Sequence, residues 1–214
     1  MDATGYARRM LVVVSLGWAT LQTGRFLLSP LLPTIITDLG ITEATAGIAL
    51  AIFQGSYAVV QYPSGEYSDR WTRTTLIVPG LVVIAVGFGL FGLTTGLATF
   101  LLASTVVGLG KGLFAIPSRA LLSDLFTDDR GRALGIYAAG TDAGGLLPSG
   151  LAVVALTYFT WRTTFFSLAI GIAVLTVAYA VTTRAGHNAG AATPHLRAIV
   201  ARLAAGILLG ILAS

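Results

Sequence analysis

A short charged segment between two long apolar runs constrains this chain more than any other feature. Residues 41–63 and 74–93 carry almost no charge, whereas residues 65–73 between them read Gly-Glu-Tyr-Ser-Asp-Arg-Trp-Thr-Arg. A helix of about 20 apolar residues is needed to cross a bilayer core of roughly 30 Å. Two such runs with so short a connection therefore predict a transmembrane hairpin whose charges gather at one membrane face.

Composition places the chain among membrane proteins and excludes several chemistries. Apolar residues make up 55% and charged residues 10% of the chain, whereas soluble domains carry about a quarter charged residues. Cysteine is absent, and both histidines, His187 and His195, lie in one polar segment, so we expect no metal, no cofactor and no enzyme activity. The net charge of +4 is interpreted as basic cytoplasmic loops, with no nucleic acid as partner.

The apolar runs predict an all-α membrane protein. Six transmembrane helices are expected at residues 10–32, 45–62, 76–93, 99–121, 133–158 and 163–181. Residues 1–183 would form a six-helix bundle, residues 184–195 a cytoplasmic linker, and residues 196–214 the start of a seventh transmembrane helix. The first run is longer than the apolar core of a signal peptide and shows no small-x-small cleavage site, so we expect it to stay in the protein.

Arginine placement predicts the topology. Only Arg162 falls on one side of the predicted helices. The other side carries Arg8, Arg9, Arg70, Arg73, Arg119, Arg130, Arg132, Arg184, Arg197 and Arg202. Short loops rich in arginine stay in the cytoplasm. A cytoplasmic N-terminus is therefore predicted, with residues 65–73 inside and residues 33–43 outside.

Three ionisable residues, Arg25, Lys111 and Asp142, fall inside predicted helices. A charge at bilayer depth costs at least about 2.5 kcal/mol, so each should face the bundle interior. At 1.5 Å per residue, Lys111 lies about 12 Å in from Arg119 and Asp142 about 15 Å in from Arg132. This similar depth on consecutive antiparallel helices predicts a Lys111–Asp142 ion pair.

Polar residues recur at helical spacing around these charges. The first helix carries Ser15, Trp18, Gln22, Arg25 and Ser29, and the second carries Gln54, Tyr57 and Gln61. We predict that the substrate contacts are Trp18, Gln22, Arg25, Gln54 and Lys111. Asp142, with Lys111, is the predicted proton-coupling group. A purely structural role, in which the polar residues hydrogen-bond neighbouring helices, stays open at this stage.

Two loop motifs give the chain a family resemblance. In the Major Facilitator Superfamily, the loop after the second helix reads Gly-x-x-x-Asp-Arg/Lys-x-Gly-Arg/Lys-Arg/Lys, which is matched here by Gly65, Asp69, Arg70 and Arg73. Thr72 and Thr74 replace the second glycine and the last basic residue. Residues 124–126, Asp-Leu-Phe, and 130–135, Arg-Gly-Arg-Ala-Leu-Gly, are similar to the family's entry into helix 5. The chain thus resembles the N-terminal half of such a transporter.

The resemblance implies two three-helix inverted repeats and secondary transport of a small solute by alternating access, driven by protons. Gly65, Asp69, Arg70 and Arg73 would form a conformational latch against the opposite half. Two family signatures are incomplete: Val106 stands where the family has a coupling arginine, and Gly145 where antiporters have proline. The excess of buried cations favours an organic anion as substrate.

The expected setting is a prokaryotic plasma (inner) membrane, in which the protein is an integral multi-pass protein. Its partners would be a small-molecule substrate, the coupling proton, the lipid bilayer, and a missing C-terminal half or partner chain. The alternative is a non-transporting membrane protein, either a half-unit that needs a partner chain or a sensor. A retinal protein is disfavoured because its lysine should lie on the last helix, whereas Lys111 lies on the fourth.

Overall fold

The computed structural model describes residues 3–70 and 72–187. These residues form six α-helices and no strand, which confirms the predicted all-α bundle. The helices are α1 (Ala3–Leu39), α2 (Glu43–Arg70), α3 (Arg73–Gly92), α4 (Leu97–Leu125), α5 (Arg130–Tyr158) and α6 (Trp161–His187). The predicted seventh helix, residues 196–214, and most of the predicted linker lie outside the described residues.

Two helices run further than their apolar cores. The helix α1 passes through Pro30 and Pro33, which the sequence placed at its end, and stops at Leu39. Gly40 follows with φ +62°, and the Ile41 N–H donates to the Ile36 carbonyl at 3.2 Å, the pattern of a helix end capped by a left-handed glycine. The helix α2 continues to Arg70, so most of residues 65–73 is helical, and the predicted end of this helix near residue 62 is wrong.

The packing of the helices shows the inverted repeat. The helix α4 packs against α2 and α3, α1 packs against α5 and α6, and α3 packs against α6. Exchanging each helix of the first triplet with its counterpart in the second (α1 with α4, α2 with α5, α3 with α6) leaves this pattern unchanged. The bundle is therefore two interlocked three-helix units, not two triplets side by side.

Close contacts between helices depend on glycine. A Cβ added at Gly108 of α4 would lie 2.3 Å from the Phe53 carbonyl oxygen of α2. A Cβ at Gly144 of α5 would lie 3.0 Å from the Thr23 nitrogen of α1. Small residues let helix backbones approach in this way where no hydrophobic effect drives them together. The α2–α4 and α1–α5 pairs are thus held at short range.

Five of the helices are long and apolar enough to cross a membrane, considering the described residues alone. The spans are Gly5–Leu39, Glu43–Ser68, Arg73–Gly92, Leu97–Leu125 and Trp161–Arg184. The helix α5 has 29 residues, about 44 Å at 1.5 Å per residue, and packs on α1. Together these features identify an integral membrane protein.

Polar clusters mark the two ends of the bundle. At one end, the Arg162 guanidinium pairs with the Asp38 carboxylate and donates two hydrogen bonds to the Thr94 carbonyl at 2.9 and 3.0 Å. At the other end, Arg73 Nε lies 3.1 Å from Asp124 Oδ2. These clusters place Arg162 and Arg73 at opposite ends, as their positions in the sequence predict.

Candidate functional site

Lys111 is the most deeply buried charge among the described side chains, with 4% of its surface exposed. Its Nζ donates to Gln54 Oε1 at 3.3 Å and lies 4.1 Å from the centre of the Tyr57 ring and 5.2 Å from that of Phe53. All three neighbours are on α2. Gly108 and Gly112 allow the approach, since a Cβ at Gly112 would lie 2.7 Å from Val60. The ammonium is therefore held by an amide and two aromatic faces.

The predicted Lys111–Asp142 ion pair does not form between these two described side chains. Lys111 is buried against α2, whereas Asp142 is exposed on α5. Thr141 and Gly144 contact α1, and each residue advances about 100° around a helix, so Asp142 points away from α1. A similar depth along two helices does not fix the direction in which each side chain leaves its helix.

Arg25 shares the electrostatic environment of Lys111. The Arg25 guanidinium lies 5.1 Å from the Phe26 ring on α1 and is half-buried. Lys111 is removed from solvent, and the Arg25 and Arg119 guanidinium groups lie near enough to repel its ammonium. Within the described residues, no carboxylate lies within 4.0 Å of Arg25 or Lys111. The structure thus brings together cations of α1 and α4 in a region without a matching anion.

Trp18 belongs to an aromatic pair that joins α1 to α5. Its ring stacks on Tyr137 with centroids 5.2 Å apart and an interplanar angle of 21°, and its Nε1 donates to Thr141 Oγ1 at 2.8 Å. The Arg119 Cζ of α4 lies 5.4 Å from the Trp18 ring and 5.9 Å from the Tyr137 ring. Sequence reasoning missed Tyr137 and treated Arg119 only as a topology marker. The available signal was that Arg119 lies inside the fourth apolar run.

Several polar atoms beside this pair are buried without a hydrogen-bond partner in the described part of the chain. They are Ser15 Oγ, Gln22 Oε1, Ser118 Oγ and Tyr137 Oη. Gln22 is only 2% exposed and lies against Gly144 at the α1–α5 contact. An unpaired buried polar group costs about 1–3 kcal/mol, so such groups commonly receive water or a ligand. The role of Gln22 as a substrate contact stays a prediction.

The residues of the predicted latch lie at the end of the bundle marked by Arg73. Besides Asp124, the Arg73 guanidinium reaches Ser68 through Nη1 at 2.7 Å, which ties the ends of α2 and α4 together. Gly65 lies against Ile116 of α4. The side chains of Asp69 and Arg70 are not among those described. Contact with an opposite half is therefore untested, and the latch stays a prediction.

The fold and the site define a class of protein: a multi-pass helical membrane protein with a cationic face on α1 and α4. The sequence profile of the Major Facilitator Superfamily matches residues 14–213, and the chain belongs to this superfamily.

Several curated relatives are transporters by name. An uncharacterised MFS-type transporter of Mycobacterium tuberculosis is 30% identical over 179 residues, which are 80% of this chain and 25% of the relative. The multidrug resistance protein MdtL of Escherichia coli is 31% identical over 67% of this chain and 37% of its own length. A probable hexose phosphate transport protein of Chlamydia trachomatis is 28% identical over 63% of this chain and 30% of its own length. The chain thus spans well under half of each relative.

Solved structures share the fold. A bacterial homologue of the human lysosomal transporter Spinster, in an inward-facing and occupied conformation, superposes with a TM-score of 0.72 at 19% identity, covering 83% of this chain and 44% of that one. The tetrameric PepTSo2 superposes with a TM-score of 0.73 at 20% identity, covering 97% of this chain and 48% of that one.

Proposed function

We propose that this chain forms half of a pathway through which a small anion crosses the membrane by alternating access. The observation that carries the proposal is the environment of Lys111, which lies within a membrane-spanning helix beside an amide and aromatic rings. No carboxylate of the described residues lies within 4.0 Å of its ammonium. A buried charge without a counter-ion is costly unless a ligand or water compensates it. A carboxylate or phosphate of the substrate would supply that compensation.

Arg25 supports the same substrate class from the facing helix. Guanidinium groups bind carboxylate and phosphate through two parallel hydrogen bonds, whereas an ammonium acts as a point charge. Gln54, whose amide holds Lys111, is exposed and offers a further polar contact. A hexose phosphate, the substrate in the name of the chlamydial relative, is an anion of this kind.

Proton coupling is the finer part of the proposal. Asp142 is a carboxylate in the middle of α5, and a carboxylate at such depth needs water, a partner or a proton. Its exposure on the side of α5 away from α1 suits a group that changes its surroundings when a second bundle moves. Lys111, which lies elsewhere, would respond to Asp142 only through the substrate.

A second bundle would complete the pathway, either in the same polypeptide or as a partner chain. The exposed polar residues of α2, α4 and α5 support this arrangement, because Gln54, Arg119 and Asp142 would otherwise meet acyl chains. The latch residues Gly65, Asp69, Arg70 and Arg73 would contact that bundle at the arginine-rich end. That end would face the cytoplasm of a bacterium whose inner membrane holds the protein.

The test is uptake of radiolabelled glucose 6-phosphate and of citrate by proteoliposomes that contain the natural polypeptide carrying these residues. Lys111→Gln removes the charge and keeps an amide, and we expect kcat/KM for the anion to fall about 10- to 100-fold, the loss of one charge-assisted hydrogen bond. In a second arm, Asp142→Asn should abolish the response of uptake to an imposed pH gradient while anion exchange without a gradient persists.

Arg130→Gln is the matched control, because Arg130 is exposed at the start of α5 and its loss should leave uptake unchanged. Undiminished anion uptake by Lys111→Gln would remove the anion proposal. Retention of the pH response by Asp142→Asn would remove Asp142 from the coupling step.

A further inference from the structure

We infer that Arg119, Trp18 and Tyr137 form a second anion subsite, closer to the arginine-rich end of the bundle than Lys111. The inference rests on the proposed transport of an anion and deepens it. It assigns a second binding site in addition to the one around Lys111 and Arg25. Lys111 and Arg119 are both on α4, eight residues apart in the sequence, which is a rise of about 12 Å. The two cations also lie against different aromatic rings, Lys111 against Phe53 and Tyr57 and Arg119 against Trp18 and Tyr137.

The geometry at Arg119 leaves its donors available. The guanidinium lies over the faces of Trp18 and Tyr137, whose rings are nearly parallel. A guanidinium carries five N–H donors in a planar fork, so donors remain for a bidentate anion even if one of them turns to the neighbouring Tyr137 hydroxyl. Arg119 is exposed, and among the described residues no carboxylate pairs with it.

Unsatisfied polar atoms provide the second, independent observation. Tyr137 is 2% exposed and Ser118 is completely buried, and neither hydroxyl has a hydrogen-bond partner in the described structure. The Tyr137 hydroxyl adjoins both the Arg119 guanidinium and the Ser118 hydroxyl, without a hydrogen bond of normal geometry to either. Because both hydroxyls are closed off from solvent, an anion or a water would give them an acceptor only by entering between Arg119 and Tyr137.

The two sites would act in sequence. An anion released from Lys111 and Arg25 toward the arginine-rich end would meet Arg119 before it reached water. A subsite at the arginine-rich end should lower KM for an anion presented at that end. It should have little effect on KM for an anion presented at the opposite end. This asymmetry distinguishes a subsite from a general contribution of Arg119 to stability.

Trp18 supplies a direct reporter, because its fluorescence should change when an anion binds Arg119. The experiment titrates inorganic phosphate into the natural polypeptide in nanodiscs of phosphatidylcholine and follows the fluorescence signal that Trp18→Phe abolishes. We expect Arg119→Gln to raise the Kd for phosphate at least tenfold and Arg119→Lys to raise it less. Arg130→Gln should leave the Kd unchanged, and Lys111→Gln should change it less than threefold.

Transport in proteoliposomes gives the second readout. Arg119→Gln should raise KM for an anion presented at the arginine-rich end at least fivefold and leave KM from the other end within twofold. An unchanged phosphate Kd in Arg119→Gln, or equal effects on both KM values, would overturn the subsite. Phosphate binding at Trp18 in a protein that transports no anion would leave the subsite standing and remove the proposed function.

A lipid headgroup is another source of the same phosphate chemistry. The titration is therefore repeated in nanodiscs that contain phosphatidylglycerol. Saturation by free phosphate in both membranes supports a subsite for a soluble anion. A Trp18 response that needs phosphatidylglycerol and ignores free phosphate would overturn it and assign the position to lipid.

Discussion

Gly108 shows how a single residue without a side chain places the charge of Lys111. The helix α4 can lie this close to α2 only because Gly108 has no side chain. A Cβ at Gly108 would lie 2.3 Å from the Phe53 carbonyl oxygen. That approach brings Lys111, one turn further along α4, to Gln54 and the rings of Phe53 and Tyr57. The position of the Lys111 ammonium therefore depends on Gly108, although only the lysine can bind a ligand.

Gly108→Ala should separate the two helices and destabilise the bundle. Overpacking of this kind costs about 1–3 kcal/mol, because the contact is to backbone and cannot be relieved by a rotamer. The measurement is the midpoint of thermal unfolding in detergent, together with anion uptake. Gly89→Ala in α3 is the control, since a Cβ there meets nothing within 4 Å. Equal midpoints for the two variants would contradict this account.

At the scale of elements, three separate segments meet at Arg162. Its guanidinium joins α6 to the Asp38 carboxylate of α1 and to the Thr94 carbonyl after α3, and Trp161 Nε1 also donates to Asp38 at 3.1 Å. The helices α1 and α3 both end here, so this cluster closes one end of the bundle. Arg73 and Asp124 have the corresponding position at the other end.

Arg162→Gln should lower the stability of the bundle more than Asp38→Asn does. Both changes break a partly exposed ion pair, which contributes only about 0.2–1 kcal/mol, but the arginine also donates two hydrogen bonds to a carbonyl, each contributing about 1 kcal/mol. The measurement is chemical or thermal unfolding of both single variants and the double variant. A larger loss of stability in Asp38→Asn than in Arg162→Gln would contradict a stabilising role for the two hydrogen bonds to the Thr94 carbonyl.

At the scale of the whole molecule, the charges at the two ends fix an orientation that can be tested directly. The chain contains no cysteine, so single cysteines report their own location. Thr42 and Thr127 are exposed and lie next to opposite ends of the bundle, because Thr42 precedes α2 and Thr127 follows α4.

We expect a membrane-impermeant maleimide to label Thr42→Cys in intact cells and Thr127→Cys only after the cells are opened. The reason is that arginine-rich loops stay in the cytoplasm, and Arg73, Arg130 and Arg132 lie near Thr127. The reverse labelling pattern would show that the orientation is wrong. Labelling of both positions in intact cells would point to a damaged membrane, which a cytoplasmic marker protein checks in the same samples.

The sequence by itself determined the class of fold, the number of helices in the described part and the two ends of the bundle. Apolar runs of bilayer length leave a chain no alternative to helices, because every backbone polar group must be satisfied within the membrane. It also indicated that Lys111 and Arg25 should face the interior of the bundle, and the structure buries Lys111 and half-buries Arg25. Both charges fall inside long apolar runs, and their cost in lipid is the reason for this inference.

Only the tertiary structure decided which side chains meet. Counting residues put Lys111 and Asp142 at a similar depth and so predicted an ion pair. However, α4 packs on α2 and α3 while α5 packs on α1, so the two side chains point in different directions. The sequence showed Arg119 only as a marker of topology, and the structure places its guanidinium over the stacked rings of Trp18 and Tyr137. Close approach at residues such as Gly108 and Gly144 decides which helices become neighbours. This fit depends on the surfaces of both helices, so the spacing of residues along one helix does not reveal it.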